Sequence, residues 1–201
     1  AILYPPRDSE KAVYDFIISE MDAILNDLPD AGSAEPGRAS QGAALALKSR
    51  AALYAGSIAQ YGTIQLDGLL GINPGEAESY YQKSYDASKK LSESYALYNS
   101  NPDKVANFRN IFLEEDHVEV IFAKKHNYEA QLKGGNGWAY DFFNCPSPQA
   151  WGGGNCIAPY LEFIEEFEYA DGTPGTIDRE ALEQGLWTTE ELWGNRDPRF
   201  Y

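Results

Sequence analysis

Basic residues are scarce in this sequence: its 201 residues include 16 Lys and Arg against 31 Asp and Glu, which gives a net charge of −15. A surface of that charge repels phosphates and anionic lipid headgroups, so neither a nucleic acid nor a membrane face is an expected direct partner. Long hydrophobic runs are missing too, and no segment reaches the roughly 18 apolar residues of a membrane-spanning helix. The first residues lack the basic and apolar regions of a signal peptide, and the last ones form a charged aromatic segment. We therefore expect a piece of a longer protein.

Cysteine and histidine are almost absent, which limits the available chemistry. Cys145 and Cys156 lie near each other in a loop-like stretch, and from the residues alone they are either two separate buried thiols or a disulfide that closes the loop. A zinc site needs four ligands, and the two histidines, His117 and His126, lie well away, so no metal is expected. The sequence has no Gly-x-Ser-x-Gly nucleophile motif, and the glycine run at 152–154 lacks the lysine of a phosphate-binding loop. Neither nucleophilic catalysis nor a nucleotide cofactor is expected.

The sequence does have an ordinary globular composition, with an excess of aromatic residues. Hydrophobic residues make up 43% and charged residues 23%, as in a folded chain of one ordinary domain or two small ones. The spacing of apolar residues predicts helices at 9–28, 40–61 and 76–95. The second is rich in small residues, so we expect it to lie between the others. The predicted apolar positions are Val13, Ile17, Met21, Ile24 and Leu28 in the first helix, Ala44, Leu47, Ala51, Ala55 and Ile58 in the second, and Tyr80, Tyr81, Tyr85, Ala87 and Leu91 in the third.

Weaker signals complete the predicted fold. Shorter helices are predicted near 102–112, from 159 to about 171, and near 179–184. Alternating apolar residues at 117–124 predict one short strand. The predicted fold class is therefore mainly α, with tetratricopeptide-like helix pairs, long irregular loops and a short strand.

A long stretch at 127–158 has neither a helical nor a strand period, and loops of that length are usually functional when they are ordered. Many of the aromatic residues fall in this stretch. On one interpretation, their rings anchor the loop to the body of the protein. On the other, exposed Trp and Tyr rings and neighbouring amides bind an uncharged polar ligand such as a sugar. The candidate ligand-binding residues are Tyr128, Asn136, Trp138, Tyr140, Trp151 and Asn155.

Carboxylates are numerous, and Glu162, Glu165 and Glu166 fall within one turn of a predicted helix. A glycosidase needs two carboxylates about 5–10 Å apart, one of them with a raised pKa. On an acidic protein, such a group is more often a solvated helix face. A glycoside hydrolase is therefore the less favoured alternative.

The order of short motifs along the chain resembles that of the RagB/SusD family. The second predicted helix reads RASQGAALALKSRAALYAG over residues 38–56 and is similar to the second-helix signature of that family. The similarity continues through the opening helix up to Pro29, the Tyr80-Tyr81 helix, the 119–122 segment, the Asp171-Gly172 pair and the RDPRF run at 196–200. It covers nearly the whole chain in order, which makes it more specific than any single motif.

The resemblance implies a single partial SusD-like domain over 1–201, with a helical repeat-like part at 1–113 and a loop-rich ligand face at 114–201. It implies a non-catalytic, surface-exposed lipoprotein of the outer membrane, which binds oligosaccharide or polysaccharide and delivers it to a SusC-like TonB-dependent transporter. The lipid anchor is expected outside this piece of chain. Because the family is exported, the resemblance also implies that Cys145 and Cys156 lie close enough to form a disulfide. A helical-repeat scaffold that binds only protein stays as the alternative.

Overall fold

The fold is mainly helical in the computed structural model of the protein, which describes residues 6–125 and 159–200. The predicted mainly-α class is confirmed. The helices are α1 (Glu10–Ile24), α2 (Gln41–Tyr61), α3 (Ala77–Leu91), α4 (Lys104–Leu113), α5 (Leu161–Glu165), α6 (Arg179–Glu183) and α7 (Thr189–Trp193), and 3₁₀ turns lie at Leu25–Asp27, Pro74–Glu76 and Pro198–Phe200. The chain divides into two compact units, Ala1–Tyr98 with Glu115–Lys124 and Asn99–Glu114 with Lys125–Tyr201. Whether they make up the single predicted domain stays a prediction.

Local signals set the ends of the first two helices. The hydroxyls of Ser9 and Ser40 each accept a hydrogen bond from the backbone N–H three residues on, at 3.1 Å, and so cap α1 and α2. Leu28 is extended (ψ 146°), as expected for a residue that precedes a proline, and the helical turns end before it. Gly62 closes α2 by donating to the Ile58 carbonyl at 2.9 Å, but its φ of −66° is not the left-handed conformation expected of a glycine after a helix.

Small residues on α2 form the core of the first unit. The buried members are Gly42, Ala44, Ala51, Ala52, Ala55, Gly56 and Ala59. A Cβ at Gly56 would lie 2.8 Å from the Tyr81 ring, so only a glycine lets that ring approach the helix so closely. Both α1 and α3 contact α2, which confirms the predicted position of this helix between the other two.

Some large side chains lie outside this core, contrary to the prediction. Leu47 on α2 is 40% exposed and Tyr85 on α3 is 60% exposed. On α3 the buried positions are Tyr80, Ser84 and Ala87, because the helix meets α2 partly through hydroxyls, with Ser49 Oγ 3.1 Å from Ser84 Oγ. On α1, likewise, Ile18 is the buried residue, whereas Val13 and Ile24 of the predicted stripe are exposed. Size and spacing therefore predicted the buried small residues of α2 correctly, together with Tyr80 and Ala87 of α3, and were wrong for the large exposed side chains.

The predicted strand at 117–124 is wrong, since those residues form a turn and irregular chain. The Val120 N–H donates to the His117 carbonyl at 2.9 Å, which closes a turn, and the Glu119 carboxylate accepts from the Tyr98 N–H at 2.8 Å. A backbone bond from Ala96 N to Val118 O, at 3.4 Å, joins this segment to the chain after α3. Nothing in the described ranges provides the second strand that a ladder requires.

The second unit is built from shorter helices than predicted. The helix expected from 159 to about 171 is only α5, five residues long. The weakly predicted helices near 102–112 and 179–184 are present as α4 and α6. The sequence interpretation missed α7, although Thr188 and Glu191 form a capping box at its start, in which each side chain binds the other residue's backbone N–H.

Candidate functional site

All the ligand-binding residues predicted from the sequence lie in 126–158, outside the described residues. They are Tyr128, Asn136, Trp138, Tyr140, Trp151 and Asn155. The two cysteines, Cys145 and Cys156, lie there as well. Both the glycan site in this loop and the disulfide therefore stay predictions.

The second unit is organised around a buried arginine. Arg196 is 2% exposed, and its guanidinium donates to backbone carbonyls on three sides. Nε binds Leu192 O at 2.8 Å, Nη1 binds Phe167 O at 2.8 Å, and Nη2 binds Gly175 O at 3.1 Å. The cation also lies 4.7 Å from the centre of the Tyr169 ring. One side chain thus ties together the end of α7 and the segments that follow α5.

A short antiparallel pairing beside Arg196 forms the base of an open cleft. Ala170 N donates to Asn195 O at 2.7 Å, and Asp197 N donates to Glu168 O at 2.8 Å. The chain then reverses at Gly172, whose φ of +85° favours glycine, and Tyr169 N closes the turn on Thr173 O at 2.8 Å. Two segments distant in sequence therefore meet in a fixed register.

The cleft itself has a volume of about 750 Å³. Two half-buried aromatic residues line it, Tyr169 and Trp187, and its remaining lining residues are Ala170, Asp171, Thr173, Glu190, Glu191, Gly194 and Asn195. The Tyr169 hydroxyl donates to the Glu191 carbonyl at 3.1 Å, which fixes the ring against α7. The Glu190 carboxylate lies against Gly194, where an added Cβ would overlap it.

The acidic helix face considered for catalysis has a structural role instead. Glu165 on α5 accepts two hydrogen bonds from the Arg179 guanidinium, each at 2.7 Å, and one from Ile177 N at 2.7 Å. The Arg179 bonds and then the Ile177 N–H hold the Glu165 pKa below its usual range. Glu162 lies 3.7 Å from the same guanidinium. This cluster joins α5 to α6, and a lowered pKa is the opposite of what a catalytic acid needs.

The first unit has a polar cluster and a groove of its own. The Tyr80 hydroxyl donates to Asp15 at 2.7 Å, and the Lys11 ammonium lies 2.6 Å from Asp15 and 3.0 Å from Glu76, so the cluster connects α1 to the start of α3. An apolar groove of about 620 Å³ lies between α1 and α2. It is lined mainly by Met21, Ile24, Leu28, Ala43, Leu47, Ile121 and Phe122.

Among residues 6–125 and 159–200, no cluster of His, Cys, Asp and Glu could hold a metal ion. None of the helices in those ranges has both the length and the apolar character that crossing a bilayer requires.

The fold and the cleft together define a mainly helical protein with an open surface cleft suited to a polar ligand. Residues 118–201 match the family model of the SusD family, which supports the resemblance to the SusD/RagB family seen in the sequence. The matched range includes the whole 169–195 cleft. No curated protein and no solved structure shows a significant match. The SusD/RagB family is generally glycan-binding and non-catalytic.

The sequence interpretation missed the cleft of the second unit. Trp187 and Tyr169 are far apart along the chain and neither falls in a periodic stripe, so no local pattern joins them. Two signals were readable: the Asp171-Gly172 turn, and the Thr188 and Glu191 spacing of a capping box. Together they would have placed a turn and a helix start beside the two rings.

Proposed function

We propose that this protein is a non-catalytic glycan-binding subunit at the cell surface. It captures oligosaccharide or polysaccharide and delivers it to a SusC-like TonB-dependent transporter in the outer membrane, to which a lipid anchor holds it. The match of residues 118–201 to the SusD family carries the proposal. The strongly negative net charge is compatible with an uncharged ligand and disfavours polyanions.

The proposal includes the absence of catalysis. A glycosidase needs a carboxylic acid whose pKa is raised, so that it is protonated at working pH. In the described part of the second unit, the carboxylates with a clear pKa shift are all shifted downward: Glu165, Asp171, Glu191 and Asp197. Each accepts hydrogen bonds that favour the charged form, which suits ion pairing and capping.

Affinity electrophoresis of the full-length protein against a polysaccharide panel tests the proposal. We expect at least one neutral polysaccharide to retard the protein, with no reducing sugar released on prolonged incubation. Release of sugar would replace the proposal with a hydrolase.

Ring-to-alanine variants test the predicted loop residues. Trp138→Ala, Tyr140→Ala and Trp151→Ala should each weaken retention and leave the melting temperature nearly unchanged. Tyr160→Ala is the matched control, because this ring is 83% exposed and does not line the described cleft. If all three loop variants melt early and still bind normally, those rings are core anchors and the ligand binds elsewhere.

A protein-binding scaffold is the second candidate, because the groove between α1 and α2 exposes apolar side chains. Leu47 is 40% and Phe122 56% exposed at this groove. Leu47→Glu would place a charge there without filling the core. If no polysaccharide of the panel retards the unmodified protein, and Leu47→Glu loses proteins that co-purify with the unmodified protein, the scaffold is the better description. Unchanged co-purification would remove the support for this candidate.

A further inference from the structure

We propose that the cleft between Tyr169 and Trp187 is a saccharide subsite that selects neutral over acidic sugars. The inference rests on the proposed function, since it names one site and one ligand class for it. It does not depend on the residues of the 127–158 stretch.

The lining of the cleft offers partners for both surfaces of a sugar, its apolar face and its hydroxyl rim. A pyranose ring has an apolar C–H face, which packs on an aromatic ring, and a rim of hydroxyls, which need donors and acceptors. Tyr169 and Trp187 supply the rings, whereas Asn195, Glu190 and Asp171 supply polar groups at the same cleft. Within residues 159–200, neither the Asn195 amide nor the Trp187 N–H has a hydrogen-bond partner. Both therefore remain available to a ligand.

The backbone holds the lining in place before any ligand arrives. Asn195 has a φ of +54°, a left-handed conformation that is strained for most non-glycine residues and that asparagine adopts more readily than most. Its carbonyl is held by Ala170 N at 2.7 Å, and the next residue, Arg196, is anchored on three carbonyls. The backbone of Asn195 is thus already ordered, so only the side-chain torsions of this residue have to be fixed when a ligand binds.

Charge sets the class of sugar. Three lining residues carry carboxylates, Asp171, Glu190 and Glu191, and no Lys or Arg lines the described cleft. The Asp171 carboxylate accepts from Thr173 N at 2.9 Å, and this bond lowers its pKa, so it stays charged in neutral solution. A uronate or sulfate group placed among these carboxylates would be repelled. Carboxylates are strong acceptors for sugar hydroxyls, so a neutral saccharide suits the same groups.

Titration calorimetry with the full-length protein tests the subsite. The probes are cellohexaose, xylohexaose and mannohexaose as neutral ligands and hexagalacturonate as the acidic one. We expect binding of at least one neutral probe and at least tenfold weaker binding of hexagalacturonate. Trp187→Ala should weaken the neutral interaction at least tenfold, and Tyr160→Ala should leave it unchanged.

Two further variants separate recognition from folding. Asn195→Gly removes the amide and suits the positive φ, so the melting temperature should stay the same or rise while affinity falls several-fold. The double variant Asp171→Asn with Glu190→Gln should strengthen hexagalacturonate binding several-fold at low salt. If Asp171 and Glu190 had only a structural role, the double variant would not change the ratio of its affinities for the acidic and neutral probes.

The possible outcomes test the proposed function and the proposed subsite separately. If the unmodified protein binds none of the neutral probes and no polysaccharide of the panel, the proposed function itself fails. If it binds a neutral probe, but Asn195→Gly and a folded Trp187→Ala bind equally well, the function stands and this subsite is refuted. If Trp187→Ala does not fold, the affinity of Asn195→Gly for the neutral probe decides whether the subsite is refuted. Equal affinity for hexagalacturonate would overturn the proposed selectivity.

Discussion

Replacing Arg196 with methionine should destabilise the second unit strongly. The methionine side chain reaches only to about the position of Nε, so the substitution keeps the apolar stem of the arginine and removes the guanidinium with its donors. The side chain is 2% exposed, and it donates to Leu192 O and Phe167 O at 2.8 Å and to Gly175 O at 3.1 Å. These three carbonyls would lose their donors in a region that water reaches poorly.

The structure sets the size of the effect. A buried polar group without a partner costs about 1–3 kcal/mol, although neighbouring losses do not simply add, because the backbone relaxes. The cation over the Tyr169 ring contributes roughly 1 kcal/mol more. We therefore expect Arg196→Met to lower the free energy of unfolding by about 3–5 kcal/mol. Arg196→Lys keeps the charge but not the fork of donors, so its loss should be intermediate.

A guanidinium chloride titration followed by near-ultraviolet circular dichroism measures this loss. Arg199→Met is the matched control three residues later in the same segment. The Arg199 side chain is 62% exposed, and its ion pair with Asp197, at 2.8 Å, faces solvent, so we expect a far smaller change. The reasoning is refuted if Arg196→Met unfolds within about 1 kcal/mol of the unmodified protein, or if Arg199→Met is equally destabilising.

Three further predictions concern the first unit and the cysteines. Ala51→Leu should overpack the core of α2 and cost about 1–3 kcal/mol in thermal or denaturant unfolding, and an unchanged stability would contradict the tight packing. Tyr80→Phe should cost about 1.5 kcal/mol at neutral pH, because it deletes the bond to Asp15. Burial, and then that bond, raises the Tyr80 pKa to about 12, so the stabilisation holds below pH 10 and the gap between the two proteins should narrow as the pH approaches 12. The predicted disulfide between Cys145 and Cys156 should block alkylation before reduction, and labelling of both thiols would disprove it.

The parts of the fold that the sequence predicted correctly depend on neighbours in the chain. Ser9 and Ser40 cap helices through residues three positions away, and Pro29 restricts the residue just before it. Such effects act within one turn, so a sequence pattern contains all the information needed. The small residues of α2 are similar, since their density alone indicates that other elements pack closely.

The errors depend on contacts that the sequence does not specify. Tyr85 was expected inside because of its size, but α3 meets α2 through Ser84 and leaves Tyr85 outside. The strand expected at 117–124 had a suitable alternation and no partner strand in the described ranges, and the Glu119 side chain took a backbone N–H that a ladder would have used. A strand is a property of a pair of segments, so alternation in one segment cannot establish it.

The cleft of the second unit also depends on contacts that the sequence does not specify. It shows how this unit forms a cleft with little regular structure. The helices α5, α6 and α7 have five residues each, far below the length at which an isolated helix is stable. Tertiary contacts must therefore hold the walls of the cleft, and Arg196 provides several of them by binding backbone carbonyls and by lying against the Tyr169 ring. The carbonyls that Arg196 binds belong to the segments on either side of the paired residues 168–170 and 195–197, so this side chain helps to hold the backbone of Tyr169 and Asn195 in place. For the proposed binding function this matters, because a site that reorganises little when the ligand arrives loses less affinity to ordering.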